Sequence, residues 1–460
     1  MLRRKRYYRS IEGLLLLIAL SIGFLGFWMV MAAAQIQQGQ FPTADLPQLF
    51  TPLILIGLAF ASLHLILHIR RMEREQLILP IVGLLFMLGL VMIWRLRGSA
   101  IVWQQLWRGF IPGVLVMGAM ILQPRWIERI RRWALPVSLV GLALPVLTAF
   151  FGVVDETGAR LALKLGPLPP IQTSELLKVG LLIFLAWFIE REGVEVEGRA
   201  RLVLRWLRVP AFRYFIPGIL FVAMATLALV RMSDFGAVLI LGCLFVAMLY
   251  AGFETRIFGT VAAIGMILAL LVGLVLYFTW EVPAVIQYRF LAFRNPWSNA
   301  MIVMNGQSTG VTIAEGPGYQ IQQAIYAIIA GGVTGTGLGL GSPGFIPLAA
   351  SDFIFAAIVE EMGAITSIAI LAFFVILILR IFRVGILLPG EQVFERLLLV
   401  GIGIHLFTQV FIMVGGTLNL IPLTGVTIPF LSQGGVALFI NLVEIGMVLA
   451  IAQRLEMRTQ

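Results

Sequence analysis

The chain has 460 residues, of which 60% are apolar and only 12% are charged, and its net charge is +10. A mean hydropathy of +0.99 excludes an ordinary soluble domain, in which about a quarter of the residues are charged, and it equally excludes a disordered chain. A single cysteine, Cys243, excludes a disulfide framework, and three histidines leave no histidine-based metal cluster. The composition therefore predicts an all-α polytopic membrane protein.

Twelve apolar runs along the chain predict twelve transmembrane helices. The predicted spans are 13–35, 50–68, 78–94, 109–123, 134–151, 173–189, 212–230, 235–252, 257–280, 353–379, 396–420 and 425–452. Because these runs are continuous rather than alternating, a membrane β-barrel is excluded. The first run is too long for the apolar region of a signal peptide, so we expect no cleaved leader.

The distribution of basic residues predicts the topology. If the N-terminus is cytoplasmic, twelve crossings place most of the 33 Lys and Arg residues on the cytoplasmic side, and the C-terminus is cytoplasmic too. The positive charge then reflects topology and contact with anionic membrane lipids. Since the chain has no sizeable soluble domain to carry a basic surface, no nucleic-acid partner is predicted.

The longest segment between predicted spans, 281–352, would lie outside the cytoplasm. Its many aromatic residues argue against disorder, so we predict a folded extracytoplasmic loop that caps the membrane domain. Within it, the tract GGVTGTGLGLGSPG at 331–344 lacks the strand and the GK[ST] ending of a phosphate-binding loop. We interpret this tract as a flexible turn between two reentrant or amphipathic segments.

Ionisable residues within spans are candidates for function because each costs about 2.5–3.5 kcal/mol at the membrane midplane. Glu175 and Lys178 lie three residues apart, share a helix face and can form an ion pair. A functional pair and a structural tie between helices both fit this pattern. Asp234 begins a span just after Arg231, where the helix dipole favours a carboxylate, so we predict a helix cap.

Asp352 stands at the junction between the long loop and the tenth span. Ser351 as N-cap with Asp352 in the first turn would explain the pair by capping. Alternatively, Asp352 is the only carboxylate between Glu315 and Glu360, and a carboxylate facing an external cavity can act as general base toward a hydroxyl. Glu360, eight residues on, falls near the same helix face.

Five stretches resemble, in the same order, the signature motifs of the SEDS family of bacterial cell-wall proteins, the FtsW/RodA/SpoVE group. They are IQTSELLK at 171–178, RMSDFGAVLI at 231–240, GYQIQQAIYAIIAGGVTGTGLGLG at 318–341, SDFIFAAIVEEMG at 351–363 and LIPLTGVTIPFLSQGG at 420–435. The chain departs from those signatures at Thr173, Ser233, Leu348, Ala350 and Gln433.

The resemblance implies a fold, an activity and a partner. The family core has ten spans, so 1–76 reads as a basic tail with two additional helices and 77–460 as the SEDS-like core. Members are peptidoglycan glycosyltransferases that polymerise lipid II at the outer face of the bacterial cytoplasmic membrane, usually with a class B penicillin-binding protein. The essential carboxylate of the family falls on Asp352, and its ion pair falls on Glu175 and Lys178.

If the resemblance holds, the substrate has a diphosphate leaving group that cationic residues at the outer interface should stabilise. The expected substrate-binding residues are Arg160, Glu175, Lys178, Arg289, Arg294, Gln320 and Gln323, with Asp234 and Glu360 in supporting roles. No residue set predicts a dedicated metal site, although Mg²⁺ or Mn²⁺ could share the charge. A flippase or other transporter, and a non-catalytic scaffold for a transpeptidase, are the alternatives.

Overall fold

The computed structural model describes residues 9–37, 46–154, 160–164, 166, 170–198, 201–204, 207–209, 212–253, 260–268, 284–304 and 307–459. Its helices before residue 254 are α1 Ser10–Gln37, α2 Leu46–Ile69, α3 Ile78–Arg97, α4 Ser99–Gln105, α5 Ile111–Leu122, α6 Trp126–Arg132, α7 Ala134–Phe151, α8 Thr173–Gly198, α9 Phe212–Met232 and α10 Phe235–Gly252. A π-helical turn, Leu106–Phe110, joins α4 to α5.

After residue 260 the described chain is again mainly helical. Residues 260–268 are helical, and the later helices are α11 Ala284–Arg294, α12 Tyr319–Gly331, α13 Ile354–Ile386, α14 Val393–Thr417 and α15 Gly435–Thr459. A 3₁₀ turn covers Pro343–Phe345. The strands among the described residues form three antiparallel hairpins, which pair β1 Ala162–Leu163 with β2 Ile171–Gln172, β3 Arg201–Leu204 with β4 Leu207–Val209, and β5 Met301–Met304 with β6 Gln307–Thr312.

The all-α membrane architecture predicted from the sequence is confirmed. Nine helices within the described ranges are long and apolar enough to cross a bilayer, and each overlaps a predicted span. Of the other three predicted spans, α8 carries Glu175, Lys178 and Glu190 in its first 18 residues. The second lies on α9, of which the described side chains cover the apolar segment Ile216–Met232, and most of the third, 257–280, lies outside the described residues.

The prediction for the last span was wrong at its start. Helix α15 begins only at Gly435, and the preceding residues 421–434 form an irregular segment, which we call the SQGG loop after the sequence at 432–435 that joins it to α15. Pro422 and Pro429 have no amide hydrogen to give to a helix. Phe430 has a φ of 64°, which also breaks helical geometry. Hydropathy alone does not register these breaks.

The chain divides into two compact units. Unit 1 comprises Met1–Pro124, Gly318–Arg380 and Met413–Gln460, and unit 2 comprises Arg125–Pro317 and Ile381–Ile412. In unit 1 the ring of Phe110 stacks on Phe86, with centroids 4.5 Å apart. In unit 2 Phe184 stacks on Phe221 at 4.1 Å. Each unit thus has its own apolar core, which the large aromatic content supplies.

Helix α1 packs closely on α3 in unit 1. Gly23 and Gly26 of α1 lie directly against the side chains of Met87 and Val91. The Glu12 carboxylate, near the start of α1, is buried and accepts hydrogen bonds from Arg9. It also pairs with Nδ1 of His64 at 2.6 Å. The N-terminal helix is therefore held by close packing and by a buried ionic cluster.

Candidate functional site

The Asp352 turn, which we define as residues 346–353, is closed by a single carbonyl group. The Leu348 oxygen accepts hydrogen bonds from the amides of Ser351, Asp352 and Phe353 at 3.0, 3.1 and 3.3 Å. Leu348 has a φ of 55°, a conformation uncommon for a non-glycine residue. Asp352 is half-buried between the fully buried Ala350 and Phe353. The turn thereby holds a carboxylate at the boundary of the packed interior.

The capping role predicted for Ser351 was wrong. Helix α13 begins at Ile354, and the Ser351 hydroxyl donates to the Leu348 carbonyl at 3.3 Å. Ser351 therefore stabilises the turn before the helix. An N-cap at Ser351 with Asp352 in the first helical turn would have explained both residues by helix capping alone. The observed helix start removes that explanation.

The SQGG loop fixes one side of the Asp352 turn. Ser432 Oγ donates to the Ser351 carbonyl at 2.8 Å, and the Gln433 amide donates to the Ala350 carbonyl at 2.8 Å. The loop is held in turn by Gln105 of α4, whose amide group bonds the Ser432 carbonyl at 3.3 Å and the Gly434 amide at 3.0 Å. Two motifs far apart in the sequence thus meet at Asp352.

The Gly-rich loop, 331–344, is attached to α13, the helix that follows the Asp352 turn. It pairs by its backbone with a kink in α13 at Gly363, where φ is 79°. The Thr336 and Gly337 amides donate to the Glu360 and Glu361 carbonyls, at 2.9 and 3.0 Å. The amides of Ala364 and Ile365 donate back to Gly332 and Val333. The interpretation of this tract as a flexible turn was therefore wrong, because the backbone groups freed by the kink hold it in place.

Two buried carboxylates on α13 complete the attachment of the Gly-rich loop. Glu360 Oε1 accepts from the Ser342 amide at 2.6 Å, and its supporting role in the site stays a prediction. Glu361 accepts from the Gly339 amide and from Arg95 Nε, both at 3.0 Å. Sequence reasoning gave no role to Arg95 or Gln105. The basic residues that end the span 78–94 were the only signal for Arg95.

Gln320 and Gln323, predicted to bind substrate, lie on α12, immediately before the Gly-rich loop. Both are half-buried and both belong to unit 1, as does Asp352. Their role in binding stays a prediction.

Glu175 and Lys178 form the ion pair predicted from their spacing. Lys178 Nζ lies 2.7 Å from Glu175 Oε1 at the start of α8 in unit 2, and both side chains are buried. Glu175 Oε2 is buried without a hydrogen-bond partner among the described residues. A buried acceptor left without a partner has capacity for a further ligand. The substrate-binding role predicted for the pair is not tested by this geometry.

The three arginines predicted to bind diphosphate also lie in unit 2. The Arg160 guanidinium donates to the carbonyls of Ala149 and Phe150, at 3.3 and 2.8 Å, which occupies it in part at the end of α7. Arg289 is half-buried on α11, and Arg294 is exposed at the end of the same helix. Their predicted roles remain open.

The cap predicted for Asp234 is confirmed. Its Oδ1 accepts from the Ala237 amide at 3.0 Å as the N-cap of α10. No group of three His, Cys, Asp or Glu residues that could hold a metal ion occurs in the described part of the chain, and a role for Mg²⁺ or Mn²⁺ stays a prediction.

Comparison with known proteins gives one family. A family model described as "Cell cycle protein", for FtsW, RodA and SpoVE, matches residues 75–457. The chain is 32% identical to "Peptidoglycan glycosyltransferase RodA" of Mycobacterium tuberculosis over 450 residues, which cover 94% of this chain and 88% of that protein. It is 31% identical to "Probable peptidoglycan glycosyltransferase FtsW" of Nitrosococcus halophilus over 355 residues, or 75% and 82% of the two chains.

Two solved structures share the fold. The one described as "Structural coordination of polymerization and crosslinking by a peptidoglycan synthase complex" matches with a TM-score of 0.63 at 23% identity, over 82% of this chain and 96% of that chain. The rod shape determining protein RodA of Thermus thermophilus matches with a TM-score of 0.55, also at 23% identity, over 81% and 94%.

Proposed function

Because the chain belongs to the FtsW/RodA/SpoVE family of multi-pass membrane proteins, we propose that it is a peptidoglycan glycosyltransferase. Its substrate is lipid II, a disaccharide-pentapeptide joined through diphosphate to a polyprenyl chain, which it polymerises into glycan strands. The curated RodA and FtsW relatives bear this activity in their names and align with most of the chain. The single observation in the fold that supports it is the Asp352 turn, whose backbone is held by the distant SQGG loop.

In the proposed reaction Asp352 is the general base. Its carboxylate takes the proton from the 4-hydroxyl of the acceptor sugar, whose oxygen attacks the anomeric carbon of the donor. The bond from that carbon to the diphosphate oxygen breaks, and the diphosphate leaves with the electron pair. The contribution of such a base is about 10²–10⁴-fold in rate.

The geometry of the turn suits this role. A half-buried side chain is partly withdrawn from water and still open to a substrate hydroxyl. The carbonyls of Ala350 and Ser351, the two residues before Asp352, accept hydrogen bonds from the SQGG loop and fix the backbone of the turn. A preorganised carboxylate loses little entropy when the acceptor arrives.

We propose that cationic residues stabilise the departing diphosphate, as the sequence suggested. Developing charge on a diphosphate is stabilised by positioned guanidinium and ammonium groups. The candidates predicted from the sequence for this role are Arg160, Arg289 and Arg294, while Glu175 and Lys178 keep their separately predicted role in substrate binding. Gln320 and Gln323 are assigned to hydrogen bonds with sugar or peptide.

The proposed setting is the bacterial cytoplasmic membrane, with both termini in the cytoplasm and the Asp352 turn at the outer face. A class B penicillin-binding protein is the proposed partner, since the similar solved structure is described as coordinating polymerisation and crosslinking. A transpeptidase that receives each new strand at the membrane surface would consume the product directly.

The test is polymerisation of fluorescent lipid II by the purified full-length protein, with and without the cognate transpeptidase and with Mg²⁺, Mn²⁺ or chelator. Asp352→Asn removes the base while keeping the size of the side chain. Asp234→Asn is the matched control, because asparagine serves equally well as an N-cap. We expect polymer from the wild type and from Asp234→Asn, and a loss of about 10²-fold or more in Asp352→Asn.

Other outcomes decide against parts of the proposal. Full activity of Asp352→Asn would leave the transferase in place and remove Asp352 as its base. If the folded wild type makes no polymer under any condition, the glycosyltransferase proposal fails. Lipid II movement across proteoliposomes without polymerisation would then identify a flippase, and stimulation of the transpeptidase alone would identify a scaffold.

A further inference from the structure

Arg95, at the end of α3, closes a ring of hydrogen bonds around one stretch of the Gly-rich loop. Its Nε donates to Glu361 Oε1 at 3.0 Å, and its Nη2 donates to the Gly341 carbonyl at 2.9 Å. Glu361 Oε2 accepts from the Gly339 amide at 3.0 Å. The Arg95 guanidinium therefore binds the Gly341 end of the stretch 339–341, and the Glu361 carboxylate binds its Gly339 end.

The burial of Glu361 makes this ring costly to open. Its side chain has 0% relative exposure, whereas that of Arg95 has 26%. A buried carboxylate is tolerated because a charged partner and further donors compensate its lost hydration. Removal of the guanidinium leaves the carboxylate with the Gly339 amide and forces the loop to admit water or move.

The N-terminal helix supports the same stretch from a third direction. Gln37 Nε2 of α1 donates to the Gly339 carbonyl at 3.4 Å. A Cβ at Gly339 would lie 2.7 Å from the Ala33 Cβ, so the loop packs directly against α1 at this point. Since the family model matches from residue 75 onward, α1 supports the loop from outside the residues that the model matches.

The same stretch leads directly into the Asp352 turn. The Ser342 amide bonds Glu360, a 3₁₀ turn follows at Pro343–Phe345, and the turn begins at 346. Glu360 and Glu361 lie on the helix that starts two residues after Asp352. The ring thus fixes the chain that enters the turn relative to the helix that leaves it.

We propose that Arg95 is a positioning residue that acts through Glu361 and the Gly-rich loop to set the location of Asp352. This inference rests on the proposed glycosyltransferase activity for its kinetic part. Misplacing a reacting group by about 1 Å costs up to about 10²-fold in rate. Loss of Arg95 should lower kcat and leave the KM for lipid II nearly unchanged, because the loss falls on the transition state.

The experiment compares three full-length variants in the same detergent. Arg95→Gln removes the charge and opens the ring, and Arg95→Lys keeps the charge but not the planar fork that serves two acceptors. Arg97→Gln is the matched control, because Arg97 is exposed on the same helix two residues away. Each variant is measured by lipid II kinetics and by hydrogen–deuterium exchange of the peptide covering 331–345.

We expect Arg95→Gln to lower kcat by tenfold or more, with KM within twofold, and to raise exchange in 331–345. Arg95→Lys should fall between it and the wild type in both measurements, and Arg97→Gln should match the wild type. The inference is overturned if kcat falls without a change in exchange, if neither changes, or if Arg97→Gln behaves as Arg95→Gln does.

The two measurements keep this inference separate from the proposed function. If Arg95→Gln does not fold, Arg95→Lys decides, and wild-type values in both measurements would refute the role of the ring. If the wild type makes no polymer, the function fails first, and unchanged exchange in Arg95→Gln would independently show that Arg95 does not hold the loop.

Discussion

Substitution of Gly335 tests whether the Gly-rich loop is built on close backbone contact. Gly335 has a φ of 84°, and a Cβ there would lie 2.4 Å from the Glu361 carbonyl oxygen and 2.6 Å from the Gly363 amide nitrogen. Both contacts are backbone atoms, which no rotamer change can move. Gly335→Ala must therefore separate the loop from the kink in α13.

The expected cost has three parts. The left-handed conformation costs an alanine about 1–2 kcal/mol. Steric overlap in a packed site costs about 1–3 kcal/mol. The adjacent bonds from Thr336 and Gly337 to α13 are each worth about 1 kcal/mol, and separation weakens both. We expect Gly335→Ala to destabilise the folded state by about 4 kcal/mol.

Gly332→Ala is the matched control because Gly332 also has a positive φ, 53°, and a Cβ there would meet nothing within 4 Å. It carries only the backbone cost, about 1–3 kcal/mol. The measurement is the midpoint of SDS-induced unfolding of both variants in mixed micelles, with lipid II polymerisation as a second readout. If Gly335→Ala is no less stable than Gly332→Ala, the close contact between loop and helix is not a source of stability.

Three further substitutions probe other contacts. Gly89→Ala places a Cβ 2.4 Å from the Leu431 carbonyl oxygen, so it should destabilise the protein by about 1–3 kcal/mol. It should also lower kcat for lipid II polymerisation by displacing the SQGG loop, and an unchanged kcat would contradict this. Asp234→Ala should cost about 1 kcal/mol in SDS unfolding by loss of the N-cap, and Asp234→Asn should cost almost nothing; equal losses would refute the cap. Glu12→Gln should cost about 3–5 kcal/mol in the same assay, because it leaves the buried Arg9 without its carboxylate, and a smaller loss than that of Asp234→Ala would disprove the ionic cluster.

Local features of the fold could be predicted from the sequence. The ion pair of Glu175 and Lys178 depends only on helix periodicity, and the cap at Asp234 depends only on the first turn of one helix. Nine spans follow from hydropathy within a single run of residues. In each case the determining residues are within about one helical turn or one apolar stretch of each other.

Contacts between distant segments could not be predicted. Gln105 forms hydrogen bonds with Ser432 and Gly434, which lie 327 and 329 positions further along the chain. No local sequence pattern marks it as their partner. Composition also fails to separate two uses of glycine. The same sequence GGVTGTGLGLG suits a mobile turn and a loop in which a Cβ has no room, and only the neighbouring backbone of α13 decides between them.

Three departures from the family signatures, Leu348, Ala350 and Gln433, lie at positions whose backbone groups form the hydrogen bonds of the Asp352 turn. By the motif resemblance described above, the signatures have glutamate and histidine where this chain has Leu348 and Ala350, and tyrosine where it has Gln433. The structure uses the carbonyls of Leu348 and Ala350 and the amide of Gln433 to build the Asp352 turn. Because any residue provides these groups, the three substitutions leave the support of Asp352 intact. The divergence therefore changes side chains around the carboxylate without removing the backbone contacts that position it.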